Sequence, residues 1–249
     1  MRTAQLEPSA NSGIGYFLKG FELIRSKGIR RFVFVPLAVN LILFSVAFHY
    51  LSLHIAEWVA AFDAWLPDGW AWLTTFVGPL MYISALVIFS FFFSTFANWI
   101  AAPFNGLLSE KMEQMLAGYE ISDSGFLDVV KDIPRTLKRE WRKLMYYLPR
   151  AIGFFILLWL IPVFGQLIWF LFVAWMMAIQ YCDYPFDNRK VAFEDMTGKL
   201  AEHKGKCFSF GSGVAIAAMI PIVNLVVMPV AICGATAMWV DHFQQDYRA

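Results

Sequence analysis

Charge is what this 249-residue chain has least of: Asp, Glu, Lys and Arg make up 16% of it, against roughly a quarter in an ordinary soluble domain. The shortage is concentrated. Residues 32–56, 69–109, 151–182 and 207–240 hold no charged side chain, and together they form more than half of the chain. A soluble fold of this length has no core large enough to hide so much apolar surface, whereas each helical crossing of a bilayer demands about 20 apolar residues. Composition therefore excludes a soluble enzyme and predicts an all-α integral membrane protein. A net charge of +1 supplies no basic field for nucleic acid. Cysteine is scarce, and Cys182, Cys207 and Cys233 show no CxxC spacing, so buried thiols are expected rather than a zinc or redox site. His49, His54, His203 and His242 lack metal-ligand spacing, and no Ser-His-Asp set or carboxylate pair falls within an apolar run. No catalytic residue, metal or cofactor is expected. Asp183 and Asp187 are four apart, but Tyr184-Pro185 between them disfavours a regular helix and points to a capped turn. Residues 1–31 have no continuous apolar core or small-residue cleavage pattern, which predicts that the N-terminus is retained.

What is present is apolar periodicity and its interruptions. Ile14, Phe17, Leu18, Phe21 and Ile24 share one helical face, predicting an interfacial helix within 14–31. The run 32–53 is long enough for a first transmembrane helix, and 73–102 for a second. The segment between them, 54–72, reads as a loop holding Glu57, Asp63 and Asp68, with Trp58, Trp65, Trp70 and Trp72 as an aromatic belt and no Lys or Arg. Residues 103–150 carry Lys111, Lys131, Arg135, Lys138, Arg139, Arg142, Lys143 and Arg150, so the positive-inside rule puts this region in the cytoplasm. After the turn chemistry of Ser122-Asp123-Ser124-Gly125, Leu127, Val130, Leu137, Trp141, Leu144 and Leu148 predict a basic amphipathic helix lying on anionic lipid.

The runs 151–181 and 211–240 are each interrupted, by Pro162 with Gly165 and by Pro221, Asn224 and Pro229. On either side of Pro162 and Gly165 the pieces are about 17 and 24 Å long, short of a hydrocarbon core of about 30 Å. A single crossing by each run would place Arg189, Lys190, Lys199, Lys204 and Lys206 outside, against the basic bias. The arrangement left is a pair of re-entrant helical hairpins, and non-helical backbone at that depth must be buried in protein or line a cavity.

Two kinds of side chain suit an anion on such a scaffold. Gly28-Ile29-Arg30-Arg31 stands where the first span begins, and a helix N-terminus with free N–H groups, reinforced by two guanidinium forks, is an oxyanion site. A basic flank that only fixes topology explains the same arginines, and Gly28, which permits close backbone approach, favours the site. Asn40, Asn98, Asn105 and Asn224 lie in or beside the apolar runs and offer donors and acceptors to a path without buried charge; for each, helix–helix hydrogen bonding is the competing role. Glu110 at the edge of the second run is the residue best placed to couple a proton. Phe210-Gly211-Ser212-Gly213 has no Walker lysine spacing.

Four segments together resemble the CysZ sulfate permease family of bacterial inner membranes. They are Gly28-Ile29-Arg30-Arg31 with Pro36; Ala97-Asn98-Trp99-Ile100-Ala101-Ala102-Pro103-Phe104-Asn105-Gly106; Gln180-Tyr181-Cys182-Asp183-Tyr184-Pro185-Phe186-Asp187-Asn188; and Pro221-Ile222-Val223-Asn224 with Pro229 through Trp239. The resemblance runs from about residue 13 to 243. It implies sulfate import for assimilation into cysteine, two transmembrane helices with two partly penetrating hairpins, homo-oligomers, and a sulfate site at Gly28, Ile29, Arg30 and Arg31. A membrane scaffold acting through partner proteins is the alternative reading of the residues.

Overall fold

The computed structural model describes residues 10–67, 71–118, 126–161 and 163–247, and within these the side chains of 36, 71, 74, 94–103, 126–133 and 137 lie outside the description. Asp68, Trp70, the 122–125 turn and Pro162, all singled out in the sequence, fall outside the described residues. The described residues hold no strand. They form α1 (Gly13–Leu23), α2 (Arg30–Trp65), α3 (Thr74–Ala117), α4 (Phe126–Leu160), α5 (Phe164–Asn188), α6 (Phe193–Glu202), α7 (Lys204–Ala218) and α8 (Pro221–His242), with 3-10 turns at Ala71–Leu73 and Gln244–Tyr247.

The helices run past the bounds that the apolar runs suggest. Residues 54–65, expected as loop, continue α2, because His54 to Trp65 contains neither Gly nor Pro and two isolated acids do not stop a helix. Likewise α3 continues past 102 in spite of Pro103 and Gly106, is carried by the helix formers of 107–117, and ends at Gly118, whose φ of +73° is left-handed. The amphipathic stretch and the first arm of the 151–181 hairpin are one helix, α4, of 35 residues, and α5 has 25. These arms are about 52 and 38 Å long. Among the described residues five helical segments, α2, 75–93 of α3, 134–160 of α4, α5 and α8, are long and apolar enough to cross a membrane. Arm length therefore does not by itself argue against full crossings, and the expected shortness came from stopping each arm at its first charge. The breaks themselves are real. One lies at 161–163, after which Gly165 packs so closely that a Cβ there would sit 2.8 Å from the backbone of Leu157 and Leu158. The other is at Met219-Ile220, just before Pro221 opens α8, while Pro229 lies inside α8 and breaks nothing.

The chain forms two compact units. Residues Phe34–Phe104 make an antiparallel hairpin of α2 and α3, in which the Phe44 ring lies 5.7 Å from Phe89 and 5.1 Å from Phe93. Leu41, Val46, Val87 and Phe91 on its surface are each more than 60% exposed, a face for hydrocarbon and not for water.

Residues Met1–Val33 and Asn105–Ala249 make the other unit. Here α1 does not rest on the surface by the expected stripe. It buries Tyr16, Phe17, Gly20 and Leu23 between α7 and α8, and leaves Ile14 and Leu18 42% and 56% exposed. Glycine decides the face, since a Cβ at Gly13 would collide with Lys206 O and one at Gly20 with Val230 O. Across the next interface Gly211 of α7 seats against Ala174 O of α5. Polar contacts fix α1 as well. The Tyr16 hydroxyl donates to Asp241 Oδ2 at 2.6 Å and lies 3.1 Å from His242 Nε2, which Lys206 Nζ approaches to 2.9 Å. Burial, with that bond to Asp241, pushes the Tyr16 hydroxyl well above its usual range, so it remains a donor. All three cysteines are buried and free.

Candidate functional site: the arginine turn and the polar core behind it

The turn between α1 and α2 is built on one buried side chain. After α1, the N–H groups of Arg25 and Ser26 donate to Glu22 O and Leu23 O, Gly28 takes a φ of +94°, and α2 begins at Arg30. Ile29 is fully buried and Val33 nearly so, in the same core as Tyr16, Phe17 and Leu23. The hydrophobic middle position of the motif is thus a plug that holds the turn on the helices beneath. Its N–H donates to Ser26 O at 3.2 Å, so the Ile29 amide expected as a ligand donor is already engaged. Arg30 and Arg31 head α2, where backbone N–H groups have no partner within the helix.

Both arginines are exposed and held without being neutralised. Arg30 Nε donates to Arg25 O at 2.6 Å, and the Arg31 guanidinium lies 4.9 Å from the centre of the Phe32 ring. Among the described residues, none of Arg25, Lys27, Arg30 and Arg31 forms an ion pair. Four cations within seven residues, with only Glu22 of opposite sign in the neighbouring sequence, make a surface rich in donors. Such a set suits an anion that carries no proton, since a protonated oxyanion presents one more donor to a surface already rich in them.

The expected path residues are divided between the two units. Asn105 is 9% exposed, and its Nδ2 is engaged within the protein, 3.3 Å from the Tyr184 hydroxyl and 3.2 Å from Met228 Sδ. Glu110 is half-buried on the same helix, and Asn224 is exposed in the first turn of α8. In the other unit Asn40 is half-buried with Oδ1 unsatisfied, and the Asn98 side chain is outside the description. Two clefts, of about 420 and 330 Å³, are described, and none of these five residues lines either.

Of the buried polar groups, sequence reasoning singled out Asn105, with helix–helix hydrogen bonding as one of its two roles, and missed the partners Ser109 and Glu113. Asn105, Ser109 and Glu113 recur every four residues on one face of α3 and point at α5 and α8. Ser109 Oγ is 3.0 Å from Thr236 Oγ1. Glu113, fully buried, accepts on Oε1 from Arg189 at 2.8 and 3.1 Å, from Trp239 Nε1 at 3.0 Å and from Gln244 Nε2 at 3.0 Å. A second set joins α4 to α5. Arg139 reaches Asp183 Oδ1 at 2.7 Å, Lys143 reaches Asp183 Oδ2 at 3.0 Å, and Arg135 reaches Asp187 at 2.5 Å. The turn expected at Asp183 to Asp187 is instead regular helix, with Pro185 buried inside α5. Both aspartates then share the face that meets α4, and the 135/139/143 spacing against 183/187 was the available signal.

A model of the family described as sulfate transporter CysZ/etoposide-induced protein 2.4 matches residues 16–229. A protein of Vibrio parahaemolyticus named sulfate transporter CysZ is 55% identical over 239 residues, covering 94% of this chain and 96% of its own length. Proteins of the same name from Vibrio atlanticus and Salmonella typhimurium are each 51% identical, over 97% and 92% of this chain and the same shares of their own. The turn of Gly28 to Arg31, the buried core that carries it and the helices on either side thus lie within a match spanning almost the whole sequence, and the chain belongs to the sulfate transporter CysZ family.

Proposed function

We propose that this protein is a sulfate permease of the bacterial inner membrane, importing sulfate for assimilation into cysteine, and not an enzyme. The observation that carries the reading is the arginine turn: four cations that have no carboxylate partner among the described residues, at the head of a helix that enters an apolar run. Arg30 and Arg31 hold the dianion, Gly28 shapes the turn, and Ile29 anchors it. Asn40, Asn98, Asn105, Glu110 and Asn224 are the candidate lining of the path. Moving sulfate inward against a negative interior costs about 4.6 kcal/mol per 100 mV, at about 2.3 per charge, so net import through a passive path needs a steep sulfate gradient or rapid consumption inside. Purified protein in liposomes is expected to admit labelled sulfate with no partner present. Absence of uptake would favour a scaffold that acts through other proteins.

The α4–α5 and α7–α8 pairs are read as re-entrant hairpins, within an oligomer embedded in lipid. Supporting this, the hairpin tips are strongly apolar, Trp159, Val163 and Ile222 being 76%, 77% and 82% exposed, while Arg189, Lys190, Lys199, Lys204 and Lys206 gather between the hairpins. In a background with Cys182, Cys207 and Cys233 replaced by alanine, Asp195→Cys and Asp246→Cys are expected to react with an impermeant thiol reagent from the same side as Lys138→Cys. Labelling of Asp195→Cys from the side of Asp63→Cys would replace the hairpins by full crossings.

A further inference from the structure

Two basic rows run along α4, and only one is neutralised. Arg135, Arg139 and Lys143 turn inward onto Asp183 and Asp187. The other row, Lys138, Arg142, Tyr146 and Arg150, is spaced by four residues and lies outside, with Lys138, Arg142 and Arg150 exposed. Tyr146 is fixed within it: its hydroxyl accepts from Trp175 Nε1 at 3.2 Å, and its ring meets Phe193 edge-on at 5.6 Å. The Arg150 guanidinium lies 3.7 Å from the centre of that ring, with Nη1 bonded to Tyr146 O at 2.8 Å. Beside this row, between α4 and α6, is the cleft of about 420 Å³, lined by Arg142, Met145, Tyr146, Phe193, Glu194 and Thr197. Among the described residues one carboxylate, Glu194, pairs with these three cations, 3.1 Å from Arg142, so the row keeps positive charge.

Next to the basic row runs an apolar one. Met145, Leu148 and Ile152 are 43%, 45% and 55% exposed on a segment long and apolar enough to lie in a membrane. Water satisfies the guanidinium groups but not these side chains, and a free anion does no better. An amphiphile with an anionic head satisfies both. Arg142 and Arg150 are eight residues apart, about 12 Å along the axis, with the Tyr146 ring between them, so two extended guanidinium groups can converge on one phosphate.

We propose that the α4–α6 cleft binds the headgroup of an anionic glycerophospholipid, its phosphate held by Arg142 and Arg150 across Tyr146 and its acyl chains lying along Met145, Leu148 and Ile152. The proposal rests on the membrane reading above and names a lipid chemistry and a place for it. Native mass spectrometry of the full chain in detergent, titrated with phosphatidylglycerol or phosphatidylcholine, tests it. The wild type is expected to retain phosphatidylglycerol at least tenfold better. The double variant Arg142→Gln/Arg150→Gln is expected to lose that preference to within about twofold, and Arg142→Lys/Arg150→Lys, which keeps the charge, to keep part of it. Glycerol phosphate and sulfate in excess are expected not to displace the lipid. Equal retention of both lipids, or an undiminished preference in the glutamine variant, overturns the proposal; displacement by either soluble anion reassigns the cleft to a free oxyanion and overturns it too. Flotation with phosphatidylcholine liposomes reads membrane insertion separately, so failure of the headgroup site with flotation intact leaves the membrane reading standing.

Discussion

Replacing Arg30 and Arg31 together by alanine is expected to lower sulfate affinity about a hundredfold or more, with each single change costing about tenfold. Each guanidinium supplies charge-assisted hydrogen bonds worth about 1.5–3 kcal/mol, and about 1.4 kcal/mol is a factor of ten. The fold is expected to survive, because both side chains are exposed and neither forms an ion pair among the described residues. Among the described residues they are anchored by the Arg25 carbonyl and the Phe32 ring. Lysine restores charge but neither the planar fork nor the Nε bond that aims Arg30, so Arg30→Lys is expected to recover only part of the loss. Gly28→Ala separates charge from geometry. A Cβ there meets nothing within 4 Å, so the change acts through the φ of +94° alone, costing about 1–2 kcal/mol of backbone strain and tilting the N–H groups of α2. Calorimetry on the purified protein reads all of these variants, and unchanged sulfate affinity in the double alanine variant removes the turn as the site.

How much of this was legible depends on the range of the interaction. Apolar runs and turn glycines act locally, so the apolar helices, the Gly28 turn and the chain breaks beside Pro162 and Pro221 could be read from neighbouring residues, whereas Asn224 and Pro229, taken as part of the second break, lie inside α8. Helix ends could not, because a charge looks like a boundary in the sequence. Glu57 and Asp63 sit inside α2, and Arg135 to Lys143 inside α4, since an α-helix needs only that its charged residues find water or a partner. The face of α1 was misjudged for a related reason. Hydrophobicity favours Ile14 and Leu18, yet close approach to the α7 and α8 backbones selects the side that carries Gly13 and Gly20. Least visible was the buried polar set. Glu113 and Arg189 are 76 residues apart, and Arg139 and Asp183 are 44 apart, so nothing near either member of a pair announces the other.

The second large effect belongs to that set. Asp183→Ala is expected to destabilise the protein by about 3–5 kcal/mol, because it leaves two buried cations with their shared carboxylate gone. Arg139 and Lys143 are 7% and 8% exposed, and Asp183 itself is 5% exposed. Asp187, whose side chain is 20% exposed and which already holds Arg135, lies 3.3 Å from Arg139, and the half-exposed carboxylate of Glu140 keeps its pair with Lys143 at 2.5 Å, so each cation recovers only part of what it loses. The loss is expected to come from uncompensated charge more than from a missing bond, and that distinction has its own test. Adding Arg139→Met and Lys143→Met to Asp183→Ala removes all three buried charges while keeping much of their volume, and is expected to restore most of the stability. Glu194→Ala is the control: its pair with Arg142 joins side chains that are 65% and 44% exposed, and its loss is expected to cost about 0–1 kcal/mol. Thermal unfolding in detergent, followed by the loss of the monodisperse peak on size exclusion, ranks the variants. If Asp183→Ala melts with the wild type, the α4–α5 ladder does not hold the hairpin together; if the triple variant melts no higher than Asp183→Ala, the ladder stabilises by directional bonding, and burying apolar side chains in its place is no substitute.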